Sequence, residues 1–564
     1  MAIDVESLYN RRADNRWDRT CVGDVLERLT YSRPDRTAIT GWAGAYGDPS
    51  LERLTYRQAA EHVDRIANGL LAAGLVRGDR VLLVCENSVE AYLTKLGAAR
   101  VGLVSVPLNP ALAPDVIARL VSLAEPRFVV IDAELWDHVE PALTACDLAV
   151  DVTVTIGGGP VGGSVSFTDF LAAHPSTPAE ATVHGDDIWE ILFTSGTTAL
   201  PKGVMLSHHY AHFGAYSFAL SLTRGLHAEA DLVQVAFLPV IYHVADQCLS
   251  LSAFLTGGRL VIGRRPVPAE MAAAVQREAG TSIWAGSPQL VKAFAGELAS
   301  RLAPGEQSPL RVVVYGWGAV EAGVRASLQA SCGEELSMMG IFGQTEAISC
   351  HRFWPDTEED KVRAAGTSLN YVGTPNPLLA SIVMDVDGTS LMDSPGVAGE
   401  AVYRSPAVTA GYYRDRAATE EAFRNGWFHS GDSCVVDEDG LRIMVDRYKD
   451  IIKSGGENVS SLRVEALLHE HPQVTKAAVV GLRHERWGEA VTAVVVRVAG
   501  ATVTEVELVD WCRARLAGFE TPKAVLFADA LPETVGGKVL KYKLRQTMAD
   551  LYNDAAADLS LTEG

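Results

Sequence analysis

Hydrophobic positions along the chain follow a helical period in some stretches and form short apolar runs in others. Apolar side chains three and four residues apart predict a helix from Tyr56 to Leu75, which Gly74 and Gly78 close. The same pattern predicts a second helix over 88–100 and short buried strands at 81–84, 104–106, 127–131, 188–193, 236–238, 260–262 and 312–314. Strands that alternate with helices predict parallel sheets covered on both faces.

The pattern changes in the C-terminal part of the chain. Beyond about residue 371 the predicted strands are short and turn-rich, at 381–384, 400–403 and 434–436, which indicates a small β subdomain. A boundary near 446–450 precedes a compact α+β unit. We therefore predict an α/β fold with a large N-terminal domain over 1–447, built from parallel-rich sheets and the β subdomain. A mobile, small C-terminal α+β domain would follow over 448–564.

Composition narrows the class of protein. The chain is 48% hydrophobic and 21% charged, which is ordinary for a globular protein. Its 564 residues are too many for a single hydrophobic core. The net charge of −21 disfavours nucleic acid and anionic lipid as partners. No apolar run reaches the roughly 20 residues of a membrane span, and residues 1–19 are too polar for a secretory signal. The eight cysteines form no CxxC pair, so we expect a cytoplasmic protein.

The most informative local pattern runs from Phe193 to Gly203. It follows a predicted strand, and its small and hydroxyl-bearing residues can approach phosphate oxygens while Lys202 adds a positive charge. It is not a Walker loop, because Pro201 stands where the second glycine of that motif would be. The pattern predicts a phosphate loop that contains Thr194, Ser195, Gly196, Thr197, Thr198 and Lys202.

Four more segments follow in order. They are Phe342-Gly343-Gln344-Thr345-Glu346, Trp427 to Asp432, Asp446 to Ile452 with Ser454 to Val459, and Gly536 to Val539. Together with the phosphate loop, these segments resemble the adenylate-forming superfamily, which contains acyl-CoA synthetases, peptide-synthetase adenylation domains and luciferases. The resemblance covers about residues 20 to 550, and the flanking sequence is similar to the branch of fatty- or aryl-acid CoA ligases.

The resemblance implies a two-step reaction with ATP, Mg²⁺ and coenzyme A. A carboxylic acid is first joined to AMP with loss of pyrophosphate, and a thiol then displaces AMP. The family motifs imply that Glu346 binds magnesium, that Thr345 contacts the α-phosphate, and that Asp432 holds the ribose hydroxyls with help from Arg447. They also imply that Lys538 bridges the carboxylate and the α-phosphate.

Further residues receive roles from the same resemblance. The nucleotide site would also include Gly316, Trp317, Gly318, Phe342, Gly343 and Gln344. The acyl pocket would contain Tyr242, His243, Trp284, Gly286, Ser287, Gly340 and Ile341, and His243 is counted among the catalytic residues. The small domain would rotate about a hinge at Lys449, presenting Lys538 for the first step and Ser454, Gly455 and Gly456, beside the coenzyme A tunnel, for the second.

Four positions depart from the family pattern. Ala199 and Gly536 replace a usual glycine and threonine, Glu520 replaces a frequent lysine, and Trp317 stands where a small residue is usual beside adenine. The Trp317 ring could stack on adenine, crowd it, or extend into the acyl pocket. These departures are compatible with full activity or with weakened adenylation.

The sequence thus predicts an acid–thiol ligase that makes an acyl-CoA from a bulky hydrophobic carboxylic acid. Three alternatives stay open: a ligase specialised for thioester formation, loading of a carrier-protein phosphopantetheine, and a non-catalytic protein that binds an acyl adenylate or a nucleotide. The small-molecule partners are the acid or its adenylate and coenzyme A. A homodimer also stays open.

Overall fold

The structure is a computed structural model, and it describes residues 19–146, 150, 152–194, 201–223, 232–242, 245–365, 369–533 and 539–552. Within these residues the α-helices are Glu27–Ser32, Tyr56–Ala72, Val89–Arg100, Pro114–Ala124, Trp136–Thr144, Phe167–Ala173, His208–Leu222, Leu251–Leu255, Pro268–Arg277, Pro288–Arg301, Ala322–Cys332, Glu359–Ala365, Arg416–Ala422, Ser461–His469, Glu505–Arg513 and Lys541–Thr547.

Local sequence accounts for the first long helices. Thr55 and Gln58 form a capping box at the start of Tyr56–Ala72, where each side chain pairs with the other residue's backbone N–H. Ser88 caps Val89–Arg100 by accepting a hydrogen bond from a backbone amide. Every residue of Val89–Arg100 is buried, so this helix packs on all sides rather than along one stripe.

The described strands of the large N-terminal domain form two sheets, of 13 and eight strands. The 13-stranded sheet has the spatial order Ala380–Met384, Gly399–Arg404, Phe428–Val436, Arg442–Arg447, Asn370–Pro375, Ala347–Phe353, Ser337–Gln344, Val312–Gly316, Ser282–Gly286, Val233–Ala236, Arg259–Ile262, Thr37–Gly41 and Arg53–Thr55. The eight-stranded sheet has the order Gly411–Tyr412, Lys202–Ser207, Ile188–Thr194, Val104–Pro107, Arg80–Val84, Phe128–Asp132, Val152–Ile156 and Val165–Ser166.

Parallel pairing dominates the centre of both sheets. In the larger sheet it runs from Ser337–Gln344 across to Thr37–Gly41, and in the smaller one from Ile188–Thr194 to Val165–Ser166. The largest cluster of buried apolar side chains draws on both sheets and on helices such as Val89–Arg100. The helices therefore pack against strands that are covered on both faces, as predicted.

The strands of the predicted β subdomain belong to the 13-stranded sheet and do not form a separate sheet. Ala347–Phe353 pairs with Asn370–Pro375, and this pairing joins the predicted β subdomain to the edge of the parallel strands. The sequence indicated the strands but not this junction, because strand pairing between distant segments leaves no local pattern.

The last part of the chain has its own five-stranded sheet. Among the described residues its strands are Ile452–Ser454, Glu457–Val459, Val474–His484, Gly488–Arg497 and Ala524–Phe527. Separate apolar clusters cover its two faces. Arg442–Arg447 belongs to the large sheet and Ile452–Ser454 to this one, so the chain passes from one sheet to the other between residues 447 and 452.

One predicted strand differs in position. The sequence indicated a strand at 236–238, whereas the observed strand is Val233–Ala236. The chain leaves the sheet after Ala236 because the Asn87 amide group donates to the carbonyl oxygens of Phe237 and Leu238, at 3.4 and 3.1 Å. A side chain thus takes the place of a neighbouring strand.

Candidate active site

The carboxyl ends of three adjacent parallel strands bring the predicted site residues to one edge of the large sheet. Ser282–Gly286, Val312–Gly316 and Ser337–Gln344 are neighbours and run in the same direction. Their ends carry the predicted acyl and nucleotide residues. In open α/β sheets, ligands bind in the crevice outside the carboxyl ends of the strands.

The two sides of the phosphate loop are paired strands. Thr194 ends Ile188–Thr194 and lies opposite Lys202, which begins Lys202–Ser207. The Lys202 ammonium lies 4.7 Å from the centre of the Tyr412 ring, and the Tyr412 hydroxyl donates to Glu346 Oε1 at 3.0 Å. Tyr412 therefore connects the base of the phosphate loop to the predicted magnesium ligand.

The backbone around Glu346 is held by two hydrogen bonds. Tyr210 donates its hydroxyl to the Thr345 carbonyl oxygen at 2.7 Å, and the Thr409 amide donates to the Glu346 carbonyl oxygen at 2.6 Å. Both side chains, of Thr345 and of Glu346, are half-buried. The backbone that carries the Glu346 side chain is thus fixed by Tyr210 and Thr409.

Asp432 and Arg447 are directly opposite each other on antiparallel strands. Arg447 Nε lies 3.1 Å from Asp432 Oδ1, and the Asp432 side chain is only 2% exposed. Burial lowers the pKa of Arg447, but the carboxylates of Asp432 and Glu346 outweigh it and keep that pKa above its ordinary value. A buried carboxylate with an adjoining guanidinium can accept hydrogen bonds from a diol while its charge stays balanced.

Glu400 shapes the turn that presents Asp432. Its Oε1 accepts from the Gly431 amide at 2.9 Å, and its Oε2 interacts with His429 Nδ1 at 2.7 Å. Gly431 has φ of 73°, a conformation that glycine adopts without strain. The Ser430 hydroxyl accepts from the Asp432 amide at 3.0 Å, and the Ser430 carbonyl accepts from Gln344 Nε2 at 3.4 Å.

Two tryptophans form an aromatic wall near the carboxyl ends of Ser282–Gly286 and Val312–Gly316. The Trp284 and Trp317 rings are 5.4 Å apart and tilted by 54°. Trp317 has φ of 64°, which strains the backbone of a bulky residue, and it is 42% exposed. A Cβ atom built on Gly286 would lie 3.6 Å from Trp317 Cζ3 and 2.9 Å from Leu238 Cδ1. The Trp317 ring therefore lies against residues predicted for the acyl pocket.

Small residues keep the space next to this wall open. A cavity of about 70 Å³ is lined by Gly316, Trp317, Gly318, Gly340, Ile341, Phe342 and others. A Cβ atom on Gly340 would lie 3.0 Å from the Tyr315 hydroxyl, and one on Gly316 would lie 3.3 Å from Trp284 Cη2. The cavity thus joins residues predicted for the nucleotide site to residues predicted for the acyl pocket.

Two further acyl-pocket residues have defined surroundings. Tyr242 is half-buried, and burial raises the pKa of its hydroxyl. Ser287 caps the helix Pro288–Arg301, and its hydroxyl accepts from the Leu290 amide at 3.4 Å. The Ser287 hydroxyl thus has a structural use, while its proposed contact with the acid stays a prediction.

The predicted hinge residue lies between the last strand of the large sheet and the first strand of the five-stranded sheet, and the predicted loop is a turn within the five-stranded sheet. Although Lys449 as a whole is exposed, desolvation of its ammonium group and the nearby charge of Arg447 lower the pKa of that group. Gly455 and Gly456 have φ of 64° and 90° and join two short strands as a tight hairpin turn. Ser454 is buried at the start of this turn.

Several predicted residues lie outside the described residues, so the structure gives them no geometry. They are Ser195, Gly196, Thr197, Thr198, His243 and Lys538, together with Ala199 and Gly536 among the departures. Glu520 is described: it accepts from the Ala517 amide at 3.0 Å and lies 3.2 Å from Arg463 Nε. The acidic residue at this departure therefore stabilises the C-terminal unit.

The described ranges hold neither a preformed metal cluster nor a membrane-spanning helix. No cluster of three or more His, Cys, Asp or Glu side chains suited to a metal occurs there. No helix in that part of the chain has both the length and the apolar character for crossing a membrane. A single carboxylate such as Glu346 is still adequate for Mg²⁺, which commonly binds one or two carboxylates plus substrate phosphates.

Two site residues could not be identified from sequence. Tyr412 and Glu400 lie in no motif, and an isolated tyrosine or glutamate gives no local signal. Their contacts to Glu346 and to the turn before Asp432 arise only when separate strands come together.

Comparisons with known proteins identify the family. A family model described as AMP-binding enzyme matches residues 26–413, and one described as AMP-binding enzyme C-terminal domain matches residues 463–538. A feruloyl-CoA synthase from an Amycolatopsis species is 32% identical over 493 residues, which cover 87% of this chain and 94% of that protein. The long-chain-fatty-acid–CoA ligase FadD13 of Mycobacterium tuberculosis is 29% identical over 533 residues, which cover 92% and 98%.

A solved structure agrees as well. ATP-bound MatB from Rhodopseudomonas palustris matches with a TM-score of 0.79 at 29% identity, over 94% of this chain and 99% of that one. The predicted fold class is thereby confirmed. The chain belongs to the AMP-binding enzyme family and is an acid–thiol ligase of the adenylate-forming superfamily.

Proposed function

We propose that this enzyme activates a bulky, hydrophobic carboxylic acid as its acyl adenylate and transfers the acyl group to coenzyme A. The observation that carries the proposal is the pair Trp284–Trp317 beside Gly286, at the carboxyl ends of parallel strands that also carry predicted nucleotide residues. Relatives named for feruloyl-CoA and for long-chain fatty acids support a large apolar acid.

The charged groups fit the first step, in which a carboxylate attacks the α-phosphate of ATP. Two anions must approach each other, so nearby positive charge lowers the barrier. Lys202 supplies such a charge from the phosphate loop, and Arg447 supplies another beside Asp432. Asp432 and Arg447 would hold the ribose, and Thr345 would contact the α-phosphate.

Glu346 would hold a Mg²⁺ ion, which supplies charge neutralisation on the phosphates when bound. The donor set fits this role, because the half-buried Glu346 carboxylate already accepts a hydrogen bond from Tyr412 and lies near Lys202 through the same ring. Lys538 would complete the site by bridging the two reacting anions, as its motif implies.

Trp317 would form part of the acyl pocket rather than a platform for adenine. Its ring lies against Trp284 and near the Gly286 position, which are both acyl-pocket residues in the prediction. The aromatic faces would pack against an apolar or planar acid. The bulk of the indole would limit the depth of the pocket, while Gly340 and Gly316 leave space beside it.

For the second step, we propose that residues 448–564 rotate relative to residues 1–447 about Lys449. The sharp turn at Gly455 and Gly456 would then face the thiol path of coenzyme A. A hinge of a few residues at an element boundary can absorb such a rotation, and residues 447–452 connect the two sheets. A cytoplasmic location accords with the eight cysteines of the sequence, which form no CxxC pair.

The deciding experiment is a panel of carboxylic acids, from acetate to aryl, long-chain and polycyclic acids, with AMP and thioester scored separately. We expect the highest kcat/KM for a bulky apolar acid and equal amounts of AMP and acyl-CoA. Preference for acetate would contradict the proposed substrate class. Slow ATP–pyrophosphate exchange with rapid thioester formation from a supplied acyl adenylate would instead favour the ligase specialised for the second step.

A further inference from the structure

A buried charged cluster lies behind the acyl-pocket loop, outside the residues described so far. It consists of Lys95, Glu190 and Asp246, whose side chains are 0%, 0% and 1% exposed. Lys95 Nζ is 2.5 Å from Glu190 Oε1 and also pairs with Asp246 Oδ2. Gln247 donates to the second oxygen of Glu190 at 2.5 Å. We call these three charged residues the buried triad.

The triad joins three elements that are distant in sequence. Lys95 lies in the middle of the fully buried helix Val89–Arg100. Glu190 lies on Ile188–Thr194, the strand that leads directly into the phosphate loop. Asp246 begins the π-helical turn Asp246–Ser250, a type of turn that is frequent at functional sites.

The lysine of the triad also holds the acyl-pocket loop, which we define as residues 237–242. Its ammonium group lies 3.3 Å from the Ile241 carbonyl oxygen and 3.5 Å from that of Val240. Asn87, at the start of the same helical segment, donates to the Leu238 carbonyl oxygen and accepts from the Val240 amide at 3.0 Å. The side chains of Asn87 and Lys95 therefore supply hydrogen bonds that a neighbouring strand would otherwise give to this loop.

A contribution to folding stability does not by itself explain why three charged side chains are buried together. Removing charges from water is costly, and replacing buried ion pairs with well-packed apolar groups is often neutral or stabilising. Burial raises the pKa values of the Glu190 and Asp246 carboxyl groups, while the charge of Lys95 opposes that rise. A geometric role accounts better for a lysine that contacts two carboxylates and two backbone carbonyl groups at once.

We propose that Lys95 is a positioning residue, which through Glu190 and Asp246 fixes the acyl-pocket loop relative to the strand that enters the phosphate loop. This inference rests on the proposed function, because it assigns the loop to the acid. The fixed loop would hold the bound acid at a set distance from the α-phosphate, so that binding energy for the acid depends on the loop's position.

The test compares a neutral, shape-conserving variant with a matched control. Lys95→Met with Glu190→Gln and Asp246→Asn removes the charges together, so no unpaired charge stays buried. Arg100→Met with Asp64→Asn removes a similarly buried ion pair, with a 2.7 Å contact, from the C-terminal end of the same helix. We expect the first variant to raise the KM for the acid about tenfold, as for the loss of one or two hydrogen bonds, and the control to change it less than about twofold.

A conservative substitution separates positioning from a merely structural role. Asp246→Asn keeps an oxygen that can accept from Lys95, whereas Asp246→Ala does not. We expect the acid KM of Asp246→Asn to stay within about twofold of the wild type and that of Asp246→Ala to rise about tenfold. Equal KM values for the two variants, or an equal rise in the triad variant and the Arg100/Asp64 control, would overturn the proposal.

Hydrogen–deuterium exchange tests the same inference independently of catalysis. Amides of the acyl-pocket loop should exchange faster in the triad variant and at the wild-type rate in the Arg100/Asp64 control. Unchanged exchange of this loop in the triad variant would contradict the positioning role even if the enzyme proved inactive toward every acid. Absence of AMP formation by the wild type with every acid would contradict the proposed function alone.

Discussion

Replacing Trp317 tests the assignment of the aromatic wall most directly. The exposed fraction of this residue is 42%, and this is the part of the indole that an acid in the pocket can cover. A tryptophan buries about 150–250 Å² in all, so the acid would cover up to about 60–105 Å². At about 25 cal/mol per Å², that contact contributes up to about 1.6–2.6 kcal/mol, or about 15- to 80-fold in kcat/KM.

The backbone at Trp317 allows a matched pair of variants. Trp317→Ala removes the indole but keeps a Cβ atom at φ of 64°, while Trp317→Gly removes both the indole and the strain. A left-handed conformation costs a non-glycine residue about 1–2 kcal/mol, and glycine loses about 0.5–1 kcal/mol through its freer unfolded chain. We therefore expect Trp317→Gly to be more stable than Trp317→Ala by about 1 kcal/mol.

The assay measures kcat/KM for the acid panel and for ATP, with urea denaturation followed by circular dichroism. Both variants should lose up to about 80-fold in kcat/KM for the preferred acid and accept larger acids, while the KM for ATP stays near that of the wild type. An unchanged acid profile combined with a raised KM for ATP would refute the reasoning and assign Trp317 to adenine instead.

Three further changes test separate features of the site. Asp432→Asn should raise the KM for ATP about tenfold to a hundredfold, because it removes the charged acceptor proposed for the ribose and the charge that faces Arg447. An acid KM that rises equally would contradict the assignment. Tyr412→Phe removes the hydrogen bond to Glu346, so the Mg²⁺ concentration for half-maximal activity should rise about fivefold. An unaltered magnesium titration would argue against the role of Glu346. Burial, aided by a nearby arginine, lowers the pKa of His351 to about 3. Below about pH 6.5, His351 therefore takes up a proton in the unfolded chain but not in the folded one. The free energy of unfolding decreases as the pH is lowered. Between pH 7 and 5, urea denaturation should show the wild type losing about 2 kcal/mol more than His351→Asn, and equal losses would show that His351 is protonated in the folded protein.

The sequence was most informative where structure and chemistry are local. Helix Tyr56–Ala72 follows from its apolar period and its capping box. The turn at Gly455 and Gly456 needs positive φ at both positions, which glycine supplies. The ordered motifs predicted the family because each is a contiguous segment, and the roles of their residues stay predictions.

Other features depended on register and packing. Asp432 and Arg447 lie in separate motifs, and only the pairing of their strands makes them direct neighbours. Tyr412 meets Glu346, and Asn87 shortens the strand predicted at 236–238, through contacts between segments far apart in the chain. The sequence also left three directions open for Trp317, and its ring lies against Trp284.

The sequence by itself therefore determined the α/β class, the family and the order of the motifs, because periodicity, capping and turn chemistry act over a few neighbouring residues. The tertiary structure alone decided that Lys95, Glu190 and Asp246 form one buried cluster behind the acyl-pocket loop. A buried charge is stable only where packing supplies its partner. That partner comes from a different helix, strand or turn, whose position no local pattern encodes.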